Sequence, residues 1–178
     1  GGDAGDLLIA DDRGISLWGG AGDDTLIGGA GHDQLGGDDP GNDSPPNPLL
    51  GDDSIIGGAG NDSISVYRGN DTALGGDGND SFHINASVFG YDTKIIDGGA
   101  GTDSLSVFGS SGVVVDLAAG TLAGGSPDGS GTATLAGIED FFVSSDQQND
   151  FLRGSSVANG LTGGAGNDTI DGGGGNDV

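Results

Sequence analysis

Twenty-seven aspartates stand against a single glutamate, Glu139, and many of them recur at one place in a glycine-rich pattern. The block GGAGDDTLI occupies 19–27 and GGAGHDQLG follows at 28–36. GGAGNDSIS fills 57–65, GGDGNDSFH 75–83, GGAGTDSLS 98–106 and GGAGNDTID 163–171, with a truncated GGGGNDV from 172. The shared form is G-G-x-G-x-D-x-U-x, with U apolar. Aspartate is a short, hard oxygen donor, and glycine turns expose main-chain carbonyls without side-chain crowding. Together they suit a hard divalent cation, which for Ca²⁺ means roughly 6–8 oxygens at about 2.3–2.6 Å.

Each nonapeptide divides into a turn, GGxGxD, and a short strand, x-U-x, with one inward side chain by two-residue alternation. One such unit cannot bury its apolar residue alone, so copies must stack around a thin core. The inward set reads Leu8, Leu17, Leu26, Leu35, Ile55, Ile64, Ala73, Phe82, Ile96, Leu105, Leu152, Leu161 and Ile170. Degenerate copies fill the gaps. Residues 1–9 keep Asp6, 48–56 keep Asp53, and 66–74 keep Asp71, whereas 10–18 put Ile15 and 89–97 put Lys94 where Asp is expected. Asp150 and Asn159 hold that position in 145–153 and 154–162. Residues 37–47 read as a repeat with two extra residues and a Pro-rich kink (Pro40, Pro45, Pro46), carrying Asp43. A five-residue insertion falls near 84–88.

Composition excludes several function classes. The 178 residues carry 28 acidic and 4 basic side chains, 42 glycines, a net charge of −24 and 33% apolar residues. Nucleic acid and anionic membranes need basic patches, and here the basic residues are scattered singly. No apolar run approaches the ~20 residues of a membrane-spanning helix. The absence of Cys removes disulfides, thiolate chemistry and Cys-based zinc sites. Self-repulsion and low apolar content predict that the bare chain cannot hold a core by hydrophobicity alone. The chain opens on Gly1-Gly2 and stops at Val178 inside a repeat, which reads as a piece of a longer protein.

The nonapeptides resemble the RTX, or haemolysin-type calcium-binding, repeat family. The resemblance implies an all-β, right-handed parallel β-roll with two nonapeptides per 18-residue turn and calcium between turns. Aspartates of alternate nonapeptides would then form two ladders at the strand spacing of about 4.8 Å. One reads Asp6, Asp24, Asp43, Asp62, Asp80 and Asp103. The other reads Ile15, Asp33, Asp53, Asp71 and Lys94. Asp150 pairs with Asp168, and Asn159 with Asp177. By the same resemblance each such Asp bridges two ions, and main-chain carbonyls complete the shell: Gly20, Gly22, Gly29, Gly31, Gly58, Gly60, Gly76, Gly78, Gly99, Gly101, Gly164 and Gly166. Neighbouring ligand pairs imply about seven to nine calcium ions.

At Lys94 the neighbouring insertion favours a solvated side chain over an ammonium ending the second ladder beside Asp71. His32 and His83 read as solvated histidines, Trp18 as a packing or end-cap residue, and Phe141-Phe142 as core. Residues 107–144 lack the glycine turn and read as strands Val113–Leu117, Thr132–Leu135 and Ile138–Val143, continuing the stack without calcium or forming a hinge. The organisation is thus an RTX block at 1–106, this section, and a second block at 145–178. No EF-hand fits, because Glu139 as loop position 12 puts Thr132 at position 5 and no Gly at 6. No G-x-x-x-x-G-K-[ST] occurs, and Gly at every third position is absent, against collagen. A catalytic carboxylate pair is one site, whereas these carboxylates repeat with the array, so the segment itself reads as no enzyme. The resemblance implies a calcium-dependent folding module of a secreted protein, exported unfolded through a type I channel. A carbohydrate-contacting accessory module of an alginate-modifying or similar enzyme, or an adhesin spacer, are the alternatives. Neighbouring domains and a polysaccharide are the other partners considered.

Overall fold

The computed structural model describes residues 1–38, 51–86, 92–109, 111–126, 129–144 and 147–178. The described residues form strands only. In chain order they are β1 (Leu7–Ile9), β2 (Ser16–Gly20), β3 (Thr25–Gly29), β4 (Gln34–Asp38), β5 (Ser54–Ala59), β6 (Ser63–Val66), β7 (Thr72–Asp77), β8 (Ser81–Asn85) and β9 (Thr93–Ala100). There follow β10 (Ser104–Phe108), β11 (Val113–Asp116), β12 (Thr121–Gly124), β13 (Thr132–Ala136), β14 (Asp140–Ser144), β15 (Phe151–Arg153), β16 (Gly160–Thr162) and β17 (Thr169–Asp171). Successive strands alternate between two sheets except at β11–β13, which lie in one sheet, because each glycine turn reverses the chain after one short strand. One sheet has ten strands in the order β1-β3-β5-β7-β9-β13-β12-β11-β15-β17. The other has seven, β16-β14-β10-β8-β6-β4-β2. All pairings are parallel except those of β12 with β11 and β13. This is the parallel β-roll that the nonapeptides predict.

The register corrects one part of the reading. Leu26 pairs with Ile55, and Leu35 with Ile64. Residues 37–47 therefore do not make a half-turn of their own. Gly37 and Asp38 begin a glycine turn that Gly51, Asp52 and Asp53 finish, and the intervening residues are an insertion inside it. The ladders therefore exchange members past this point, contrary to the sequence reading: Asp24 neighbours Asp53 rather than standing in line with Asp62, and Asp33 neighbours Asp62 rather than Asp53. Asp43 and the prolines lie outside the described residues. The register is unbroken past the second insertion, with Ala73 opposite Ile96 and Phe82 opposite Leu105, and Ile84 and Asn85 belong to β8; residues 87–91 lie outside the described residues.

In the 107–144 section the strands continue the sheets. β13 pairs parallel with β9, β14 with β10, and β11 with β15. The sequence reading missed β12, whose antiparallel meander between β11 and β13 adds two strands to the ten-stranded sheet.

The core is a single file of apolar side chains from both sheets. Leu26, Leu35, Ile55, Ile64, Ala73, Phe82, Ile96, Leu105, Leu152 and Leu161 are buried, with Leu8 and Leu17 packed against them. Ile170, in the edge strand β17, is 49% exposed. Val66, Ile84, Val107 and Val143 add a second inward residue on the seven-stranded sheet. They follow in register from Gly37, the next residue after the paired Gly36 and Ser65. Apolar side chains thus take over a position that begins as glycine, and the core thickens there. Phe141 is buried as core. Trp18 packs its ring on the backbone of Gly36, which has no room for a Cβ.

Candidate metal centre

The site is built from a six-residue turn repeated along both edges of the roll. In the turn at 57–62, Gly58 and Gly60 have φ of 112° and 130°, a left-handed region that side chains avoid. Gly57 is glycine for another reason. A Cβ there would stand 2.5 Å from Asp62 Oδ2 and 2.5 Å from the Gly75 carbonyl oxygen of the next turn. The same convergence of an Asp Oδ2 and a next-turn carbonyl recurs at Gly19, Gly28, Gly75 and Gly98.

Stacked turns interlock through the carboxylates. Along both edges the backbone N–H of a ladder residue donates to Oδ1 of the Asp one turn on. On the first edge Asp6 N–H reaches Asp24 at 2.7 Å, Asp24 reaches Asp53 at 2.9 Å and Asp53 reaches Asp71 at 3.0 Å. On the second, Ile15 reaches Asp33 at 2.9 Å, Asp33 reaches Asp62 at 2.8 Å, Asp62 reaches Asp80 at 2.8 Å and Asp80 reaches Asp103 at 2.7 Å. Asp150 N–H reaches Asp168, and Asn159 N–H reaches Asp177, each at 3.0 Å.

The other carboxylate oxygen is left over. Oδ2 of Asp24, Asp33, Asp62, Asp80 and Asp103 is buried and has no hydrogen-bond partner. A buried carboxylate oxygen without a donor is costly. Burial pushes the Asp24, Asp62 and Asp80 carboxyls above the usual range. Burial, reinforced by neighbouring carboxylates, takes Asp103 to about 6 and Asp53 to about 8. A hard cation fits this donor set: orphaned carboxylate oxygens, adjacent main-chain carbonyls and a space that any side chain would close. Among the described residues no three acidic or histidine side chains cluster into a metal site. Main-chain carbonyls must therefore supply most of any shell. The carbonyls of Gly29, Gly58 and Gly76, and of Gly31, Gly60 and Gly78, each lie against the matching residue of the next turn.

Several predicted residues behave differently from expectation. Lys94 is not solvated: it is fully buried, and its ammonium pairs with Asp71 Oδ2 at 2.8 Å. His83 is half-buried on the outer face of β8, where burial lowers its pKa. Exposed His32 accepts the Asn61 N–H on Nδ1 at 2.6 Å. Asn159 is in register, but its Oδ1 accepts the Ser155 N–H at 2.7 Å and its Nδ2 donates to the Glu139 carbonyl at 2.7 Å.

Two features escaped the sequence reading. Glu139 continues the second ladder, its Oε2 accepting the Asp103 N–H at 2.9 Å. The carbonyl of Gly137 lies beside Asp103 Oδ2 at the Gly98 cradle, so Gly137-Ile138-Glu139 acts as a shortened turn. The residue before each ladder Asp forms an outer ladder of caps. Asp23 accepts from Asp52 N–H, Asp52 from Asn70, Asn61 from Asn79, Asn79 from Thr102, and Asn149 from Asn167. The recurrence of Asn, Asp or His at that position was its visible signal.

The RTX calcium-binding nonapeptide repeat matches residues 16–44, 49–82 and 144–178, with four copies. The chain belongs to this RTX repeat family. No curated protein matches it. As an RTX repeat segment it is a calcium-binding module built as a β-roll. The matched residues hold the ladder positions of both blocks except Asp6, Ile15, Lys94, Asp103 and Glu139, which the register alone connects to them.

Proposed function

We propose that this chain is a calcium-dependent folding and structural module of a secreted protein. The observation that carries the reading is the stack of buried, partnerless Asp Oδ2 atoms, each beside a carbonyl of the next turn. Bound calcium supplies positive charge between carboxylates that otherwise repel at short range. Asp24, Asp53, Asp33, Asp62, Asp80, Asp103, Asp150 and Asp168 would hold ions, with Asp6, Asp71, Asp177, Asn159 and Glu139 at the flanks. The glycine carbonyls named above would complete the shells. Neighbouring pairs on both edges give about seven to nine ions. That number would bring the net charge of −24 to about −10 to −6. In calcium-poor cytosol the ladders would keep the chain unfolded, a state suited to type I export; outside, folding would follow binding by linkage. The carboxylates bind and position ions, and none is assigned a catalytic role.

The test is far-ultraviolet circular dichroism during calcium titration. A coil spectrum in chelator and a cooperative rise of β signal with calcium are expected. Magnesium should not substitute, because it demands near-ideal octahedral geometry and dehydrates reluctantly. A β spectrum unchanged by chelator would refute coupled folding.

A further inference from the structure

We infer that Lys94 is a built-in cation, so that the ladder position beside Asp71 takes the ammonium of this chain in place of a metal ion. The inference rests on the calcium reading of the ladders and deepens it. Lys94 is the chain's single lysine and stands where the nonapeptide puts Asp. Its side chain is 0% exposed, in a protein otherwise rich in surface carboxylates that could have paired with it in water. Nζ meets Asp71 Oδ2 at 2.8 Å and also donates to the Gly69 carbonyl. One carboxylate Oδ2 and one glycine-turn carbonyl are the two kinds of donor that the other turns offer.

A separate observation shows why a metal would not serve there. In the turns of Asp24, Asp33, Asp62, Asp80 and Asp103 the first residue is glycine, and its missing Cβ leaves the oxygen-lined space. In the turn ending at Asp71 that residue is Val66, which is buried in the core. Tyr67 replaces the second glycine. In the following turn Asp92 takes the place of the third glycine, with φ of 39°, and its carboxylate accepts the Gly69 N–H at 3.1 Å. The turn has thus lost its cradle while keeping its aspartate. A buried carboxylate still needs a counter-charge. An ammonium brings that charge on a slender stem and needs two or three acceptors, not six to eight. Beyond Lys94 the register continues to Ala133, so the first-edge ladder of the leading block ends at this ion pair.

The test uses the whole chain with amine labelling and calcium titration. The wild-type titration comes first; absence of calcium binding there would refute the calcium reading before any variant is made. In calcium-loaded wild type, an N-hydroxysuccinimide ester should modify the Gly1 amine and leave Lys94 unreacted, and chelator should make both reactive. Lys94→Met keeps the stem and removes the charge. Losing one partner of a buried pair, shared over about eight ions, should raise the calcium midpoint about two- to threefold. Val66→Gly with Lys94→Asp rebuilds the turn and should bind one more calcium than wild type by native mass spectrometry. Lys94 labelled as fast as Gly1 in the loaded protein would overturn the proposal. So would a Lys94→Met variant with an unchanged midpoint. Should Lys94→Met fail to fold at any calcium concentration, the labelling of wild type still decides.

Discussion

Asp24, Asp33, Asp62, Asp80 and Asp103 each do two jobs with two oxygens. Oδ1 ties adjacent turns by accepting a backbone N–H, and Oδ2 faces the carbonyl-lined cradle. Asp62→Ala removes both, whereas Asp12 is exposed and off the ladder. Asp62→Ala should cost on the order of 1–3 kcal/mol and raise the calcium midpoint, with Asp12→Ala near neutral. Equal midpoints would contradict the register. Protons and calcium compete for the same oxygens. In the metal-free fold Asp53 sits at about 8, against about 4 in an unfolded chain. A raised folded pKa contributes stability that is complete below about pH 4 and lost as pH rises through about 8. The calcium-free chain should therefore show more β structure at about pH 4 than at pH 8. The calcium midpoint should fall between about pH 5.5 and 8 as the ladders deprotonate, measured by circular dichroism at each pH. A pH-independent midpoint would count against buried, raised carboxylates.

At the scale of elements, the roll tolerates insertions only where a turn can carry them without changing strand order. Residues 39–49 enter between Asp38 and Gly51, inside one glycine turn. Deleting them leaves Gly37-Asp38-Leu50-Gly51-Asp52-Asp53, a six-residue turn of nearly standard form. The deletion variant should bind as many calcium ions as wild type, with a midpoint within about twofold, because loop length contributes little to closure entropy. Loss of folding would mean that the excised residues form part of the stack. The two-edge geometry makes a second prediction. Asp62 and Asp80 are adjacent on one edge, whereas Asp71 lies on the other. A double-mutant cycle at saturating calcium should give Asp62/Asp80 coupling of about 1 kcal/mol or more, and clearly less for Asp62/Asp71. The reverse order would imply a nine-residue turn.

Across the whole molecule, a thin core and a net charge of −24 oppose one another. Each strand turns only one or two apolar side chains inward, while carboxylates repel along both edges, so the stability that the thin core does not supply falls to the ions. Small-angle scattering should therefore report a radius of gyration near 45 Å in chelator, falling toward about 16 Å with calcium. A compact chain in chelator would show that the core suffices without metal.

The sequence by itself determined the repeat, the strand positions, the inward apolar file and the identity of nearly every ladder residue. These are local properties: a glycine turn and a two-residue alternation are written within nine residues. Tertiary structure decided what depends on stacking. Whether 37–47 is a half-turn or an insertion is a question of parity, settled when Leu26 pairs with Ile55. Glu139 carries no motif around it and joins the ladder only because β14 lies beside β10. Lys94 looked displaced by its neighbouring insertion, yet the register sets it one turn from Asp71, where a buried carboxylate needs a positive partner and Val66 has closed the space that a metal would use.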